Sequence, residues 1–412
     1  MQFWRLHLAQ LELRKKRTEY QPPCCSLTGR QQTQKLAFLF GVLYPLQHLT
    51  VRQQLLARLI VYRASKIYRV KAIAKTRPEP GVEIVEVPEP SIRAGCVKIK
   101  LEAASVCGTD LHIYNWDPWA AGRIKPPRII GHEFCGFVVE VGEGVTERAL
   151  GDYVSSESHI VCGHCLQCQM GQAHVCVNTK ILGVDVDGGF AEFAVIPWEN
   201  ARPTPKSVSP LIAAFQDALG NAVHTAMSGP IEGRTVLITG MGPIGQFAVS
   251  ICKALGAKAV YATEISEYRA EIARKVGADI VFNPIGENVS EKIRKLHPEG
   301  VDCVLEMSGH PSQLSLGVEV VRPGGRMSLL GVYSDVSQSV SMNDLIFKGI
   351  ELHCIVGRRL WQTWDQMSEL LSSGKLNLDP VVTHVMHYTE FKDAMELMKA
   401  GKAGKVVFTF EA

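Results

Sequence analysis

Cys162, Cys165, Cys168 and Cys176 stand in the spacing C-x2-C-x2-C-x7-C on a glycine-containing stretch. That spacing lets four thiolates converge tetrahedrally on one ion and leaves no open position. Such an ion cannot receive substrate, so its expected work is structural, holding a lobe that has little core of its own. Four cysteines also hold iron–sulfur clusters, but this spacing is not one of the usual ferredoxin runs. A second set is of mixed type. Cys107 in VCGTDLHIY and His132-Glu133 in IIGHEF offer a thiolate, an imidazole and a carboxylate from two separate segments. Three mixed ligands with an open fourth position describe a catalytic zinc. Cys107 or His132 alone would read as an ordinary packed side chain; their company changes the reading.

A third constellation suits a nucleotide. Gly240-Met-Gly242-Pro-Ile-Gly245 follows the apolar run TVLIT and opens a helical segment. Backbone N–H groups at a helix N-terminus can there approach a pyrophosphate with no Cβ in the way. Glu264 ends the next strand, 19 residues past Gly245, where a carboxylate accepts hydrogen bonds from a ribose diol and repels a 2′-phosphate, favouring NAD over NADP. The bland alternative is a glycine turn packing a helix on a sheet, with Glu264 merely solvated.

The elements that must position these residues divide the chain. Residues 70–215 read as short β-rich segments broken by Pro and Gly, such as CVKIKLEAAS, FCGFVVEVGEGV and FAEFAVIP, the pattern of an all-β, barrel-like domain. From Arg234 the pattern alternates: TVLITG, the glycine loop and its helix, AVYATE, then an amphipathic helix from Glu267 to Val276. Such alternation predicts a parallel sheet covered by helices, so residues 216–358 are expected to form the nucleotide-binding domain. Residues 359–412 end in GKVVFTF, a strand with no helix after it, expected to return to the first domain.

Charge and composition narrow the function classes. Residues 1–69 carry twelve Lys/Arg against Glu12 and Glu19, net +10, which leaves residues 70–412 with 32 basic and 39 acidic side chains, net −7. A mildly acidic body gives no electrostatic reason to expect nucleic acid as a partner. No apolar run reaches the roughly 20 residues of a bilayer span, the best being Leu36 to Leu46 with a Gly and a Pro inside it, so no membrane partner is expected. Of the twelve cysteines, four cluster and the rest are scattered apart from Cys24–Cys25, which fits metal binding in a reducing cytoplasm better than a disulfide framework. The basic stretch 1–69 has three readings: a mis-assigned upstream start, a transit segment, or a helical appendage.

The order CGTD…GHE, four clustered cysteines, then GxGPIG resembles the zinc-containing medium-chain dehydrogenase superfamily over essentially all of residues 70–412. Within it, Cys107-GTDLHIYNWD, Gly220-Asn-Ala-Val-His-Thr-Ala, Leu305-Glu-Met-Ser-Gly and Phe347-Lys-Gly are similar to the members that oxidise L-threonine, and those members begin where Val70 stands. The resemblance implies an α/β protein: a β-rich GroES-like catalytic domain plus a Rossmann domain with a doubly wound parallel sheet. It also implies two zinc ions and NAD per chain, and a homotetramer acting on a small-molecule substrate. Thr109 and His112, three residues apart, share a face on a helical turn, and the resemblance implies that they relay the substrate's hydroxyl proton. Asp217, by spacing alone an ordinary helix N-terminal acid, falls where those members carry an acid near the catalytic zinc. By the same carry-over Ile244, Glu264 and Arg269 line the adenosine side, with Leu330, Gly331, Val332, Ile355 and Val356 towards the nicotinamide. Two departures are small: Glu264 replaces a frequent Asp, and Ser158 replaces a Gly. The implied reaction is oxidation of the L-threonine 3-hydroxyl to 2-amino-3-oxobutanoate. Another zinc-dependent secondary alcohol or polyol dehydrogenase, and an inactive nucleotide-binding relative, stay open at this point.

Overall fold

The computed structural model describes residues 68–335 and 337–410, so the basic stretch lies outside the described residues up to position 67. Its β-rich part is organised around the strand Cys96–Ser105, which pairs antiparallel with Glu133–Val141, Phe193–Pro197 and Lys405–Thr409. With partners on both sides, this strand buries nearly every residue, Lys98 included. The Lys98 ammonium is accommodated by Glu89 at 2.9 Å and Glu140 at 2.7 Å. Gly136 lies where a Cβ would stand 2.0 Å from the Lys100 carbonyl oxygen, so only glycine lets the two central strands approach there. The sheet runs Ala201–Pro203, Tyr153–Ser156, Glu133–Val141, Cys96–Ser105, Lys405–Thr409, Val382–His387, with Phe193–Pro197 also on Cys96–Ser105. The two C-terminal strands thus complete a sheet begun some 300 residues earlier. Between its strands the chain inserts two helices, Gly108–Asn115 and Pro118–Arg123.

The second sheet is wholly parallel, in the order Ile280–Phe282, Ala259–Thr263, Thr235–Thr239, Val301–Glu306, Val321–Leu329, Glu351–Cys354. Thr235–Thr239 is buried throughout, as a central strand covered on both faces must be. The chain goes one way from it and then returns to its other side, so the topological switch point lies between Thr235–Thr239 and Val301–Glu306. Nucleotides bind outside the carboxyl ends of strands at such a point. The helix Gln216–Ala226 connects the two parts: it packs on the helix Pro243–Ala254, with Phe215 stacked on Phe247 at 4.9 Å between ring centroids. No helix among the described residues is long and apolar enough to cross a membrane.

Candidate active site

Cys107 caps the helix Gly108–Asn115, and His132-Glu133 opens the strand Glu133–Val141. Their ligand atoms lie within 4.8 Å of one another. His132 and Glu133 are buried, and His132 Nδ1, Glu133 Oε1 and the adjacent Asp110 Oδ1 have no hydrogen-bond partner. Orphaned buried polar atoms around a thiol mark a site that a cation completes, so the residues present fit a zinc ion. The other oxygen of Glu133 is held by Lys405 and by the Ser105 hydroxyl. Burial would raise the Glu133 carboxyl, but the Lys405 ammonium, then His132, hold it below the usual carboxylate range. Burial likewise opposes a proton on His132, yet Cys107, Asp110 and Glu133 drive it up to about 10: the surrounding charge is negative enough to retain a positive one.

Thr109 Oγ1 lies 3.8 Å from Cys107 Sγ, inside the same helix turn. His112 follows one turn on, exposed, its Nδ1 held by Asp117 Oδ2 at 2.5 Å. Asp217 is buried at the start of the helix Gln216–Ala226 but does not cap it, and the charges of His132 and Glu133 are among those it senses. Its Oδ1 accepts from the Ser158 backbone N–H at 2.8 Å and from Arg358 at 2.6 Å. Arg358, the largest fully buried side chain among the described residues, also binds Glu157, the Ser158 hydroxyl at 3.0 Å and Asn221 at 3.3 Å. Trp364 Nε1 completes the Glu157 carboxylate at 2.6 Å. His159, next along, has an unpartnered Nδ1, and burial, with Arg358 second, lowers it to about 4, so it is neutral.

The four clustered cysteines converge as well, their sulfur atoms within 4.8 Å of one another. Backbone amides of Cys165, Cys162 and Asn178 point at sulfurs at 3.4 Å each, and the Asn178 side-chain amide reaches Cys162 at 3.5 Å. Burial would raise Cys162, but the Asn178 amide and neighbouring backbone donors lower it to about 6. Burial and the adjacent thiols push Cys168 up to about 12. Four such groups cannot all ionise side by side without a cation, and this set fits a zinc ion with no position left for substrate.

At the switch point Gly240 has φ +83°, and a Cβ on Gly245 would stand 2.0 Å from the Gly240 carbonyl oxygen. Gly242, the N-cap of Pro243–Ala254, has nothing within 4 Å of its would-be Cβ. This open cradle before a helix N-terminus fits a pyrophosphate. The Glu264 carboxylate is nearly buried and accepts from the backbone of Met241 at 2.8 Å and of Ile265 and Ser266 at 2.9 Å each. It organises the loop, while a carboxylate's four lone-pair sites leave capacity for a diol. Ile244 packs on the core under this loop, and Arg269, on the helix Glu267–Val276, keeps its Nε buried and unpartnered. Leu330, Gly331, Val332, Ile355 and Val356 follow the carboxyl ends of the next strands.

The alcohol dehydrogenase GroES-like domain matches residues 93–206, and the zinc-binding dehydrogenase family matches residues 243–373. An L-threonine 3-dehydrogenase of Pyrococcus abyssi is 52% identical over 343 residues, 82% of this chain and 98% of that one. The chain belongs to the L-threonine 3-dehydrogenase family of zinc-binding dehydrogenases. Among solved structures, the alcohol dehydrogenase of Thermus sp. ATN1 superposes with a TM-score of 0.76 at 31% identity, covering 83% of this chain and 100% of that one. The E. coli dehydrogenase rspB, complexed with NADH, superposes with a TM-score of 0.76 at 30% identity, covering 83% and 99%.

Several residues that build this dehydrogenase site carry no sequence signal of their own. Lys405 sits in GKVVFTF, Arg358 in VGRRLW and Glu157 in SSESHI, each unremarkable until the fold buries it. The one available hint was a charged residue at the head of an otherwise apolar strand, as at Lys405 in KVVFT.

Proposed function

We propose that this chain oxidises the 3-hydroxyl of L-threonine with NAD, yielding 2-amino-3-oxobutanoate. The observation that carries the reading is the convergence of Cys107, His132 and Glu133 into one buried, cation-seeking cluster, in a chain 52% identical to an L-threonine 3-dehydrogenase along almost that enzyme's whole length. Cys107, His132 and Glu133 would hold the catalytic zinc, which when bound polarises the substrate hydroxyl as a Lewis acid. Cys162, Cys165, Cys168 and Cys176 would hold a structural zinc. The Gly240–Gly245 loop would hold NAD, with Glu264 and Arg269 on the adenosine side, and the bound cofactor would supply the hydride acceptor. The remaining work falls to the chain. Thr109 Oγ1, beside Cys107, would take the hydroxyl proton while giving up its own, and exposed His112, oriented by Asp117, would receive the relayed proton and pass it to solvent. The neutral, part-buried His159 and the Arg358-bound Glu157 and Asp217 make the surroundings of the cluster polar.

Residues 70–215 with 359–412 form the catalytic domain in this reading, and residues 216–358 the nucleotide domain. The homotetramer is supported by an open sheet edge: Glu351–Cys354 has one neighbour among the described residues, and exposed Leu352, Ile346 and Phe347 lie beside it. Turnover of the full chain with NAD and L-threonine, 2,3-butanediol, sorbitol or ethanol, with and without a zinc chelator, tests the function. Chelator-sensitive NADH formation with threonine preferred is expected, and a polyol preference overturns the substrate.

A further inference from the structure

Glu306 ends the strand Val301–Glu306 at the switch point and is fully buried. Its Oε1 accepts from the backbone N–H of Ser308 at 2.8 Å and Gly309 at 3.0 Å, from the Ser308 hydroxyl and from Thr239 Oγ1 at 3.3 Å. Its Oε2 accepts from the Tyr333 hydroxyl at 3.0 Å. Two amides and three hydroxyls surround it, and among the described residues no lysine, arginine or histidine pairs with it. The arrangement is built for an acceptor-only carboxylate. Burial, then the Glu306 charge, push the Tyr333 phenol up, which keeps it a donor.

The carboxylate also ties together three loops at the carboxyl edge of the sheet. The Glu306 backbone oxygen accepts from Leu330 and Gly331. A Cβ on Gly331 would stand 2.5 Å from Glu306 Oε2, one on Gly309 2.3 Å from the Val332 carbonyl oxygen, and one on Gly240 2.8 Å from Ser308. The charge therefore sits directly behind the wall of the nucleotide crevice. Of the other buried carboxylates beside the proposed sites, Glu133 has Lys405, Glu157 and Asp217 share Arg358 and Asp110 lies by His132, while Glu264 on the adenosine side is likewise held only by neutral donors, the backbone amides of Met241, Ile265 and Ser266. Neutral donors delocalise the Glu306 charge without cancelling it, so its field extends into a low-dielectric crevice.

We propose that Glu306 is a positioning residue whose uncompensated charge makes the crevice discriminate between the oxidation states of the cofactor, favouring the cationic nicotinamide ring of NAD+ over the neutral ring of NADH. The inference rests on the reading that these loops face the nicotinamide. A unit charge about 12 Å away, at an effective dielectric of about 20, changes the relative affinity about tenfold.

The test is direct binding to the full-length, zinc-loaded protein, with dissociation constants for NAD+ and NADH measured by calorimetry in the absence of substrate. Glu306→Gln is expected to weaken NAD+ about tenfold while changing NADH less than threefold. Ser308→Ala, which removes a donor but leaves the charge, is expected to keep the ratio of the two constants within twofold of wild type. Parallel weakening of both cofactors by Glu306→Gln, or an unchanged ratio, overturns the proposal and leaves Glu306 as a loop clamp alone. If Glu306→Gln does not fold, the wild-type protein filled with ADP-ribose decides: 1-methylnicotinamide cation is expected to bind more tightly than neutral nicotinamide, and no preference overturns the proposal. Failure of NAD+ and NADH to bind at all would instead discard the nucleotide site on which the inference stands.

Discussion

The proposed metal ligand Glu133 depends on neighbours that sequence spacing does not reveal. Glu133 can point one oxygen at a metal because Lys405 and Ser105 hold the other. Partners of this kind commonly change metal affinity 10- to 100-fold. Lys405→Met is therefore expected to lower zinc affinity at the Cys107 cluster by roughly that factor, read by competition with a graded chelator series; unaltered affinity would show that Lys405 only fills space. Cys107→Ser is expected to reduce zinc from two ions per chain to one, with turnover down about a hundredfold or more. Retention of two ions after the substitution would remove Cys107 from the ligand set.

Asp302 illustrates a charge whose effect is on stability. It accepts from the Thr235 backbone and hydroxyl at 2.9 Å each and pairs with Arg322 at 2.8 Å. Burial would raise its pKa, but the Thr235 amide and Arg322 lower it to about 2. A carboxyl with a depressed folded pKa contributes stability that is present above its unfolded value near 4 and is lost as pH falls through the folded value. Asp302→Asn is thus expected to cost roughly 1–2 kcal/mol at neutral pH, allowing for solvent screening, and almost nothing near pH 2. Urea denaturation across this range measures it, and a pH-independent cost would mean that packing, not charge, is lost.

At the level of elements, the glycine loop and its helix act as one unit. The helix Pro243–Ala254 can start where it does only because Gly245 has no Cβ to strike the Gly240 carbonyl oxygen at 2.0 Å. Gly245→Ala must push loop and helix apart, so NADH affinity is expected to fall at least tenfold and the melting temperature to drop; binding as tight as wild type would separate the loop from the nucleotide site. Gly242→Ala adds a Cβ into open space. It is expected to leave the melting temperature within a few degrees while weakening NADH, because the methyl group projects into the cradle rather than into protein.

Much at this scale was legible. The run TVLIT, the loop and the amphipathic stretch from Glu267 to Val276 appear as strand, turn and helix, since periodicity and glycine placement act locally. The helix Gly108–Asn115 was only partly visible, as one turn bearing Thr109 and His112. It has no amphipathic stripe, and of its two buried residues Asp110 accepts locally from the Cys107 backbone N–H at 2.9 Å while Ile113 packs into the core of the β-rich part.

Across the whole molecule, the C-terminal strand Lys405–Thr409 lies against Cys96–Ser105, so the chain's end helps shape the cluster formed near residues 107–133. Global unfolding and loss of the catalytic metal should therefore be linked. Chelation of both ions is expected to lower the melting temperature in proportion to the zinc removed, with the loss of the cysteine-bound ion opening the 162–176 lobe first, as protease sensitivity there would report. An unchanged melting temperature after complete zinc removal would sever that link.

The sequence by itself determined the ligand types, their spacing, the glycine loop and the alternation that makes a parallel sheet, because each of these is set by residues close together along the chain. Only the tertiary structure decided which charges neutralise which. Arg358 meets Glu157 and Asp217, Lys405 meets Glu133, and Glu306 meets no cation among the described residues. The pairs span up to 272 residues, and an ion pair leaves no periodicity or local pattern: its partners are chosen by burial, which strips them of water and makes a distant opposite charge the available replacement.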